Sequence, residues 1–516
     1  MTTMSLAMIL AEGARRYPDK VAVVDGPDRI TYTELWRQAR TYANALQQLG
    51  VGPGSTVALL IPNVADFPRV YYGALAAGAT LVPVNLLLTA DEIAEVLRDS
   101  HADVLVAHTS QLAAATAAVA RTDTLLVAVG PVLSGSADEP QRLADAATTP
   151  LTTYVSRAPE DIAMVFYTSG TTGKPKGAML THLNLIMNAT VDIFDGSDER
   201  PDDVVLGCLP LFHTFGQTVG MNGTFRIGAT LVLLARFTGE TALELMVRER
   251  VTVFHGVPTM YVALLQATAT AERLPQLRFC VSGGASLPVA VLERFTETFG
   301  PTVCEGYGMS ETSPSVTSNQ PVFGTRAGTV GHSIWGVEAE IARPEIEDRI
   351  EFVPTGELGE IVVRGHNVFA GYLNQPEETA KAMVDGWFRS GDLGTKDEQG
   401  FITIVDRKKD LIIRGGFNVY PREVEEVLAR HPAVVQVAVI GVPDDTYGEE
   451  VCAVIVPGPD APGEQDLVEW SKERLGKHKY PRQVRFVDSM PLGPSQKVLK
   501  RELRIALTTA AGTRQS

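Results

Sequence analysis

Residues 166–178 read FYTSGTTGKPKGA, a loop rich in hydroxyl groups, glycine and lysine at the end of the apolar run DIAMVF. Glycine lets backbone N–H groups turn into a loop and hold anionic oxygens, so this composition suits a phosphate chain. The best-known loop of this type needs Ser or Thr directly after its Gly-Lys pair, where the hydroxyl binds Mg²⁺. Here Gly173 and Lys174 are followed by Pro175, which lacks an N–H donor and resists helix entry. The stretch predicts a phosphate-binding loop of another design, with a polar surface hairpin as the alternative.

The composition of the chain narrows the classes of partner. A length of 516 residues exceeds what one hydrophobic core usually supports, so at least two domains are expected. The net charge of −16 repels nucleic acid and anionic lipid, and neither is an expected partner. The four cysteines show no CxxC spacing, which argues against a zinc cluster and fits a reducing compartment. Since no signal-peptide pattern and no membrane-length apolar run is present, the expected location is the cytoplasm.

Short apolar runs rich in β-branched residues alternate with Ala- and Leu-rich helical patterns through most of the chain. Examples are TVALLIP and VTVFHGVP as strands and GETALELMVRER as a helix. This alternation predicts an α/β fold, with a large N-terminal domain of several subdomains and mostly parallel sheets. Beyond about residue 350 the pattern shifts toward hairpins, which predicts a small mobile α+β C-terminal domain. We place the N-terminal domain at 1–405, a hinge at 406–410 and the C-terminal domain at 411–516.

The end of the chain differs in charge from the rest. Residues 471–504 hold ten basic residues and three acidic ones, within a chain that is acidic overall. The segment is either a solvated face or a source of cations for an anion that is bound elsewhere.

The opening loop also resembles a family signature. Almost letter for letter, YTSGTTGKPKG (167–177) is similar to the signature of the adenylate-forming superfamily, which includes acyl-CoA synthetases, aryl-CoA ligases, luciferases and peptide-synthetase adenylation domains. The resemblance implies that hydroxyl groups and backbone wrap the β- and γ-phosphates of ATP while lysine adds positive charge. The residues concerned are Thr168, Ser169, Gly170, Thr171, Thr172, Gly173, Lys174 and Lys176. Thr168 is in addition an expected catalytic residue and metal ligand.

Two further motifs support the resemblance. EGYGMSETSP (305–314) resembles the second signature, in which a tyrosine lies near adenine and a Ser/Thr–Glu pair reaches the α-phosphate and Mg²⁺. A hard cation prefers carboxylate and phosphate oxygens, and a flat base prefers an aromatic face. VSGGASLP (281–288) resembles the segment that lines the adenine and acyl sites. The implied nucleotide-binding residues are Gly283, Gly284, Ala285, Gly306, Tyr307, Gly308, Met309 and Ser310, with Glu311 as a catalytic residue and metal ligand.

The segment between the expected domains resembles the family's ribose-binding and hinge motifs. WFRSGDLG (387–394) contains Asp392, which in the family accepts hydrogen bonds from the ribose hydroxyls. In DRKKDLIIRGGFNVYPREVE (406–425), the resemblance implies that Arg407 also reaches ribose and that Lys409 occupies the hinge position. Gly415 and Gly416 would shape the thiol channel in a second conformation.

SMPLGPSQKVLKREL (489–503) resembles the last motif of the family and places Lys497 at the adenylation lysine. The chain departs from the pattern at Gln496, where the family usually has glycine. Glycine there would suit a backbone conformation with φ > 0, which costs glutamine free energy.

The resemblance implies two half-reactions at one site. A substrate carboxylate attacks the α-phosphorus of ATP, which gives an acyl-adenylate and pyrophosphate, and a thiol then attacks the acyl carbonyl and expels AMP. Positioning and charge neutralisation carry the first step, and the small domain then rotates about its hinge to admit the thiol. The expected catalytic residues are Lys497, Thr168, Glu311 and His213, and the expected cofactors and co-substrates are ATP, Mg²⁺ and coenzyme A.

LPLFHTFGQTVGM (209–221) bears on which acid is activated. In amino-acid-activating relatives an aspartate beside this point holds the substrate amine; none is present, so an α-amino acid is disfavoured. His213 is expected at the mouth of an acyl pocket, with a packed histidine as the alternative. Its neighbours, mostly small or apolar, fit an aliphatic tail or an aromatic ring: Phe215, Gly216, Thr218, Met221, Val257 and Thr259.

The sequence therefore predicts an AMP-forming acyl-CoA synthetase, an acid–thiol ligase, for medium- or long-chain fatty acids. CoA is the expected acceptor, because no carrier domain follows Lys497 in the chain. The alternatives are an aryl-CoA ligase for cinnamate-like acids and a stand-alone enzyme that loads a carrier protein. A non-enzymatic alternative, motivated by Gln496, is an impaired homologue that binds nucleotide or acyl groups. The expected partners are the acid, ATP and CoA, and a homodimer is compatible with the sequence.

Overall fold

The computed structural model describes residues 2–132, 140–146, 149–169, 175–459, 463–493 and 496–512. The α-helices, in chain order, are α1 (Met8–Arg16), α2 (Tyr32–Gln48), α3 (Asp66–Ala77), α4 (Ala90–Asp99), α5 (Leu112–Val119), α6 (Leu143–Ala146), α7 (His182–Val191), α8 (Thr224–Ile227), α9 (Gly239–Glu249), α10 (Pro258–Ala267), α11 (Val289–Phe299), α12 (Pro376–Ala382), α13 (Pro421–Leu428), α14 (Glu464–Lys472) and α15 (Lys500–Gly512).

The strands, in chain order, are β1 (Val21–Asp25), β2 (Asp28–Thr31), β3 (Thr56–Leu60), β4 (Thr80–Pro83), β5 (Val104–His108), β6 (Leu125–Val129), β7 (Ile162–Ser169), β8 (Pro175–Thr181), β9 (Val204–Gly207), β10 (Thr230–Leu233), β11 (Val253–Gly256), β12 (Phe279–Ser282), β13 (Val303–Gly308), β14 (Ser315–Ser318), β15 (His332–Ser333), β16 (Val337–Ala342), β17 (Gly359–Gly365), β18 (Gly371–Tyr372), β19 (Met383–Val384), β20 (Trp387–Lys396), β21 (Ile402–Arg407), β22 (Ile412–Arg414), β23 (Phe417–Val419), β24 (Val434–Asp444), β25 (Gly448–Pro457) and β26 (Gln483–Phe486).

Two large sheets form the bulk of the N-terminal part. One has nine strands in the order β15-β14-β13-β12-β11-β9-β10-β1-β2, and the other has seven in the order β18-β8-β7-β4-β3-β5-β6. Pairing is parallel from β13 to β1 in the first sheet and from β7 to β6 in the second. Their strands are almost wholly apolar because helices cover both faces of such sheets. The predicted α/β fold with mostly parallel sheets is confirmed.

Two smaller sheets complete the fold. β16, β17, β20, β19 and β21 form an antiparallel sheet, and β20 and β21 bring the chain to the predicted hinge. Beyond the hinge, β23, β22, β25, β24 and β26 form the sheet of a small α+β unit, on which α13, α14 and α15 pack. The exact domain limits given above stay a prediction. No helix in the described part of the chain is both long and apolar enough to cross a membrane.

Local signals explain where the helices next to the candidate site begin. Thr181 caps α7: its hydroxyl accepts a hydrogen bond from the Asn184 N–H, and the Asn184 side chain accepts one from the Thr181 N–H. Pro258 occupies the first turn of α10, where its missing N–H costs nothing. Both helices therefore start at fixed points directly after a strand.

Three buried tyrosines in the core of the N-terminal part have paired hydroxyl groups, whereas the hydroxyl of buried Tyr261 has no hydrogen-bond partner among the described residues. The Tyr72 hydroxyl donates to Asn222 at 2.7 Å, and the Asn222 side chain donates to the Tyr71 hydroxyl at 2.9 Å. The Tyr32 hydroxyl donates to the Ala229 carbonyl at 2.6 Å. These bonds tie α2 and α3 to the segment around α8, and they satisfy polar atoms that burial would otherwise penalise.

A buried ion pair stabilises the small unit, and it gives a testable prediction. Arg414 Nε and Nη2 donate to the two Glu450 oxygens at 2.6 and 2.8 Å. Because Glu450→Ala leaves the guanidinium buried without its partner, we expect a loss of about 3–5 kcal/mol in the free energy of opening of this sheet. Hydrogen exchange of the β24 and β25 amides measures it.

The matched control is Glu473→Ala, which breaks an exposed pair with Arg474. Such surface pairs contribute about 0–1 kcal/mol, so exchange in β24 and β25 should stay close to wild type. Equal exchange rates in the two variants would contradict the stabilising role of the Arg414–Glu450 pair.

Candidate active site

The candidate site lies at the edge of the nine-stranded sheet where β11, β12 and β13 end. In open α/β sheets, ligands bind beyond the carboxyl ends of the strands. A cavity of about 830 Å³ lies here, between this edge and the small C-terminal unit. Of the predicted nucleotide-binding and catalytic residues, its lining includes Gly284, Ala285, Gly306, Tyr307, Gly308, Asp392, Arg407, Lys409 and Lys497.

A tyrosine, an aspartate and an arginine meet on one side of this cavity. The Tyr307 hydroxyl donates to Asp392 Oδ2 at 2.8 Å, and Arg407 Nε lies 3.2 Å from Asp392 Oδ1. Asp392 and Arg407 are opposite one another in the β20–β21 pair, so the register of that pair fixes their contact. Burial, and then the Asp392 charge, raise the pKa of Tyr307, which keeps its hydroxyl protonated. The group offers an aromatic ring, a carboxylate and a guanidinium side by side.

Gly308 is required by a close approach of the backbone. A Cβ at this position would lie far inside van der Waals distance of the Pro314 carbonyl oxygen. Residues 309–314 therefore fold tightly back on β13. This fold determines the position of Glu311. Only glycine allows that approach.

Glu311 is held by a tyrosine from a distant strand. The Tyr372 hydroxyl in β18 donates to Glu311 Oε1 at 2.9 Å. Lys176 forms an ion pair with Glu378 and lies 5.0 Å from the centre of the Tyr372 ring. Burial raises the pKa of Glu311, and hydrogen bonds and the nearby Lys176 charge oppose that effect. This carboxylate therefore gains from any further cation placed beside it.

The chemistry of Glu311 fits the Mg²⁺ that the family resemblance implies. Within the described ranges, no cluster of three or more His, Cys, Asp or Glu side chains could hold a metal alone. Mg²⁺ is commonly held by one or two carboxylates together with substrate phosphates and water. A single carboxylate suffices in such an arrangement. The Thr168 hydroxyl makes a long hydrogen bond of 3.5 Å to the Lys176 carbonyl, and its role as a second metal ligand stays a prediction.

Lys497 enters the cavity from the C-terminal unit and packs on Gly284. A Cβ added at Gly284 would lie 2.8 Å from Lys497 Cε and 3.2 Å from Nζ. Burial, and then repulsion by Arg407, lower the pKa of Lys497 to about 8, and the Asp392 charge opposes this shift. The ammonium is therefore poorly compensated until an anion enters the cavity.

His213 lies close enough to feel the lysine charge. Burial, and then the Lys497 charge, lower the pKa of His213 to about 3, so its ring is neutral near pH 7. Its Nδ1 accepts a hydrogen bond from the Phe215 N–H at 3.2 Å. The proton of the neutral ring is therefore on Nε2, which makes that atom a hydrogen-bond donor.

Gln496, the residue before Lys497, adopts the left-handed backbone conformation with φ of 61°. The glycine that is usual at this point in the family was expected to suit a conformation with φ > 0, and Gln496 adopts that conformation. A side chain in this region costs about 1–3 kcal/mol, which the surroundings must offset.

The opening loop connects two antiparallel strands, β7 and β8. Thr168 pairs with Lys176 in this hairpin, and Ser169 pairs with Pro175. Five predicted phosphate-binding residues lie outside the described residues: Gly170, Thr171, Thr172, Gly173 and Lys174. The hairpin alternative thus describes the flanking backbone, and the phosphate-binding role of the loop stays a prediction.

Comparison with known proteins identifies the family from matches over most of the chain. The family model of the AMP-binding enzymes matches residues 10–373, and that of the AMP-binding enzyme C-terminal domain matches residues 423–497. The chain belongs to the AMP-binding enzyme family. A feruloyl-CoA synthase of Amycolatopsis sp is 39% identical over 95% of this chain and 96% of that protein. A long-chain-fatty-acid–CoA ligase of Bacillus subtilis is 35% identical over 97% and 94%.

A solved structure shares the fold of this chain and is also similar to it in sequence. ATP-bound MatB from Rhodopseudomonas palustris superposes with a TM-score of 0.88 at 34% identity, covering 98% of this chain and 99% of that one. The AMP-binding enzyme described here is an ATP-dependent acyl-CoA synthetase, an AMP-forming acid–thiol ligase. The predicted family and reaction class are confirmed.

Apart from Ser169 in β7 and the five residues outside the described ranges, the predicted site residues of this AMP-binding enzyme divide into three groups. Nine of them line the single cavity described above. Seven others are not among its lining residues: Thr168 and Lys176 lie in β7 and β8, Gly283 follows β12, Met309, Ser310 and Glu311 follow β13, and the Lys497 charge acts on His213. Gly415 and Gly416 form the turn between β22 and β23, with φ of 56° and 82°, and they do not line the cavity. Their assignment to a second conformation stays a prediction.

Two contacts of the site were not predicted from the sequence. Thr259 was expected to line the acyl pocket, but its hydroxyl donates to the Gln496 carbonyl at 2.6 Å and so faces the C-terminal unit. Tyr372, the partner of Glu311, was not singled out at all. Both pairs join residues far apart in the chain, and no local periodicity signals such a contact.

The packing of Lys497 on Gly284 gives a prediction with a close control. Gly284→Ala adds a Cβ at φ of 80° and pushes the lysine aside. A displacement of about 1 Å costs about a hundredfold in rate, so pyrophosphate release in single turnovers should fall by that order. Gly386→Ala imposes the same backbone strain at φ of 78°, with no atom within 4 Å of the new Cβ. Equal losses of rate in the two variants would show that backbone strain, and not displacement of Lys497, causes the loss.

Proposed function

We propose that this acyl-CoA synthetase forms its acyl-adenylate in the cavity at the edge of β11, β12 and β13, with Lys497 as the adenylation lysine. The observation that carries the proposal is the packing of Lys497 on Gly284, in the cavity that Tyr307, Asp392 and Arg407 also line. A positive charge at this point would stabilise the negative charge that develops as the carboxylate attacks the α-phosphorus.

Each of the other groups has a role that suits its surroundings. Tyr307 would lie against adenine, while Asp392 would accept hydrogen bonds from the ribose hydroxyls and Arg407 would donate to the ribose. Neutral His213 would donate from Nε2 to an oxygen of the acid near the reacting carboxylate. These roles place uncharged donors near the acyl group and cations near the phosphates.

Glu311 and Thr168 would hold Mg²⁺, with Lys176 adding charge next to them. Bound there, Mg²⁺ would neutralise phosphate charge. Tyr372 keeps the Glu311 carboxylate in place through its hydroxyl. Lys176 would leave Glu378 for a phosphate oxygen when ATP binds, since a phosphate carries the larger charge.

The second half-reaction requires the C-terminal unit to move. We propose domains at 1–405 and 411–516 that rotate about 406–410, after which Gly415 and Gly416 line the path of the CoA thiol. The exposed position of this glycine turn and the continuity of β21 with the hinge support the assignment. The thiol sulfur then attacks the acyl carbonyl carbon, the carbon–oxygen bond to AMP breaks, and the thiol proton passes to solvent.

A medium- or long-chain fatty acid is the first candidate for the acid. The Bacillus subtilis relative is named for long-chain fatty acids, and similarity to it extends over 97% of this chain. Val257 lines the cavity and would supply apolar surface for an aliphatic tail, whereas Met221 is packed in the core. The cytoplasmic location and the homodimer of the sequence analysis stay predictions.

A substituted aromatic acid is the second candidate, and one feature favours it. His255 Nε2 lies 2.8 Å from Glu199 Oε1, both side chains are buried, and the His255 ring stacks on Phe215 at 6.5 Å between centroids. Within the described part of the chain, His255 Nδ1 and Glu199 Oε2 have no hydrogen-bond partner. An aliphatic tail gains nothing from such atoms, whereas a hydroxylated ring would gain hydrogen bonds. The relative at 39% identity is named a feruloyl-CoA synthase.

The test measures pyrophosphate release and acyl-CoA formation with octanoate, palmitate and ferulate, with and without CoA. Lys497→Met keeps the length of the side chain and removes its charge. We expect CoA-dependent turnover with at least one acid, and a loss of pyrophosphate release of about a hundredfold or more in the variant.

The outcomes separate the alternatives. Highest activity with palmitate or octanoate supports the fatty acid, and highest activity with ferulate supports the aromatic acid. Pyrophosphate release that leads to no acyl-CoA would favour a carrier protein as acceptor. ATP binding without pyrophosphate release from any acid would contradict the proposed catalytic role of this site.

A further inference from the structure

A short hydrogen bond joins the edge of the nine-stranded sheet to the segment that carries Lys497, the proposed adenylation lysine. The Thr259 hydroxyl donates to the Gln496 main-chain carbonyl at 2.6 Å, and both residues line the central cavity. Thr259 belongs to the first turn of α10, which Pro258 starts directly after β11. Its position is therefore set by the rigid sheet of the N-terminal part.

On the other side of this bond, the described residues 492–493 and 496–498 pair with one another as the two arms of a hairpin. The Gly493 N–H donates to the Lys497 carbonyl at 2.7 Å, the Gln496 N–H donates to the Gly493 carbonyl at 2.8 Å, and Leu492 pairs with Val498. Gln496 has φ of 61° in this turn. Because a non-glycine residue disfavours that conformation, the turn gains from a contact outside itself.

We propose that Thr259 is a positioning residue for the first half-reaction: its bond to the Gln496 carbonyl holds the hairpin so that the adjacent Lys497 lies on Gly284. The inference rests on the proposed function of Lys497 and extends it to a residue that makes no contact with the reacting atoms. When the C-terminal unit rotates for the thiol step, this bond breaks. Thr259 therefore stabilises the orientation for adenylate formation and makes no contribution to thioester formation.

The surroundings of the lysine explain why this bond matters. The Arg407 charge repels the Lys497 ammonium, and Asp392 attracts it from the same side of the cavity. Electrostatics alone therefore does not fix the lysine on Gly284 before ATP binds. Other bonds between the two parts lie on α13 rather than beside the lysine: the Val289 N–H donates to Glu426 at 3.4 Å, and the Arg422 guanidinium donates to the Ile404 carbonyl.

The test compares three threonine variants. Thr259→Val keeps the shape of the side chain and removes the donor, while Thr259→Ser keeps a donor. Thr268→Val is the matched control, because the Thr268 hydroxyl donates at 2.7 Å to the Leu265 carbonyl within α10 itself. Each variant is assayed in two half-reactions: pyrophosphate release from ATP and acid in single turnovers, and conversion of supplied acyl-adenylate with CoA to acyl-CoA and AMP.

We expect Thr259→Val to slow pyrophosphate release about tenfold, in line with the loss of one partly buried hydrogen bond, and to leave the second half-reaction at the wild-type rate or above. Thr259→Ser should regain most of the rate, and Thr268→Val should match wild type in both assays. Equal losses in both half-reactions, or no loss in Thr259→Val, would overturn the proposal.

Hydrogen exchange gives a second readout that does not depend on the choice of acid. In the ATP-bound protein, the Gly493 and Gln496 amides should exchange about tenfold faster in Thr259→Val than in wild type or Thr268→Val. Unchanged exchange would overturn the role of Thr259. If wild type releases no pyrophosphate with any acid, the proposed function fails, and the exchange comparison still decides whether Thr259 holds the hairpin.

Discussion

The ammonium of Lys497, held beside the Arg407 guanidinium in a partly dehydrated cavity, is the constraint on which the rest of the site depends. Burial and the neighbouring cation lower its pKa to about 8, so the protein holds this charge at a cost. A polyanion in the cavity removes that cost, because it supplies the missing opposite charge. In the proposed function, the nucleotide supplies this opposite charge.

This cost explains why the lysine belongs to a separate unit. The N-terminal sheets supply rigid strand ends on which Tyr307 and Gly284 are fixed, and a docked hairpin brings in the charge. A lysine on the sheet edge itself would occupy the cavity in both half-reactions. With the proposed rotation of the C-terminal unit, the same lysine would leave the cavity when the thiol enters.

The fold class and part of the candidate site could be predicted from the sequence. Alternating apolar strands and helices indicated the α/β fold, and the family resemblance assigned Gly284 and Tyr307 to the same site. The opposed positions of Asp392 and Arg407 required the register of β20 and β21, which no short motif shows. At Gln496 the departure from glycine did indicate the backbone conformation correctly.

The contacts that escaped prediction are long-range pairs of ordinary residues. Thr259 and Gln496 are joined by one hydrogen bond across 237 positions of sequence, and Tyr372 reaches Glu311 across 61. A buried histidine such as His255 gives the same pattern as any residue of an apolar strand, so its pairing with Glu199 was invisible before the fold was known.

The most direct test of the account is the pKa of Lys497 in the intact protein. Competitive acetylation across a pH series, read by mass spectrometry, gives the pKa of each lysine, with the other lysines as internal references. We expect the acetylation of Lys497 to titrate with a pKa near 8 in the free protein. This pKa should rise when a non-hydrolysable ATP analogue is bound. Titration at the ordinary lysine value of 10.5, unmoved by the analogue, would contradict it.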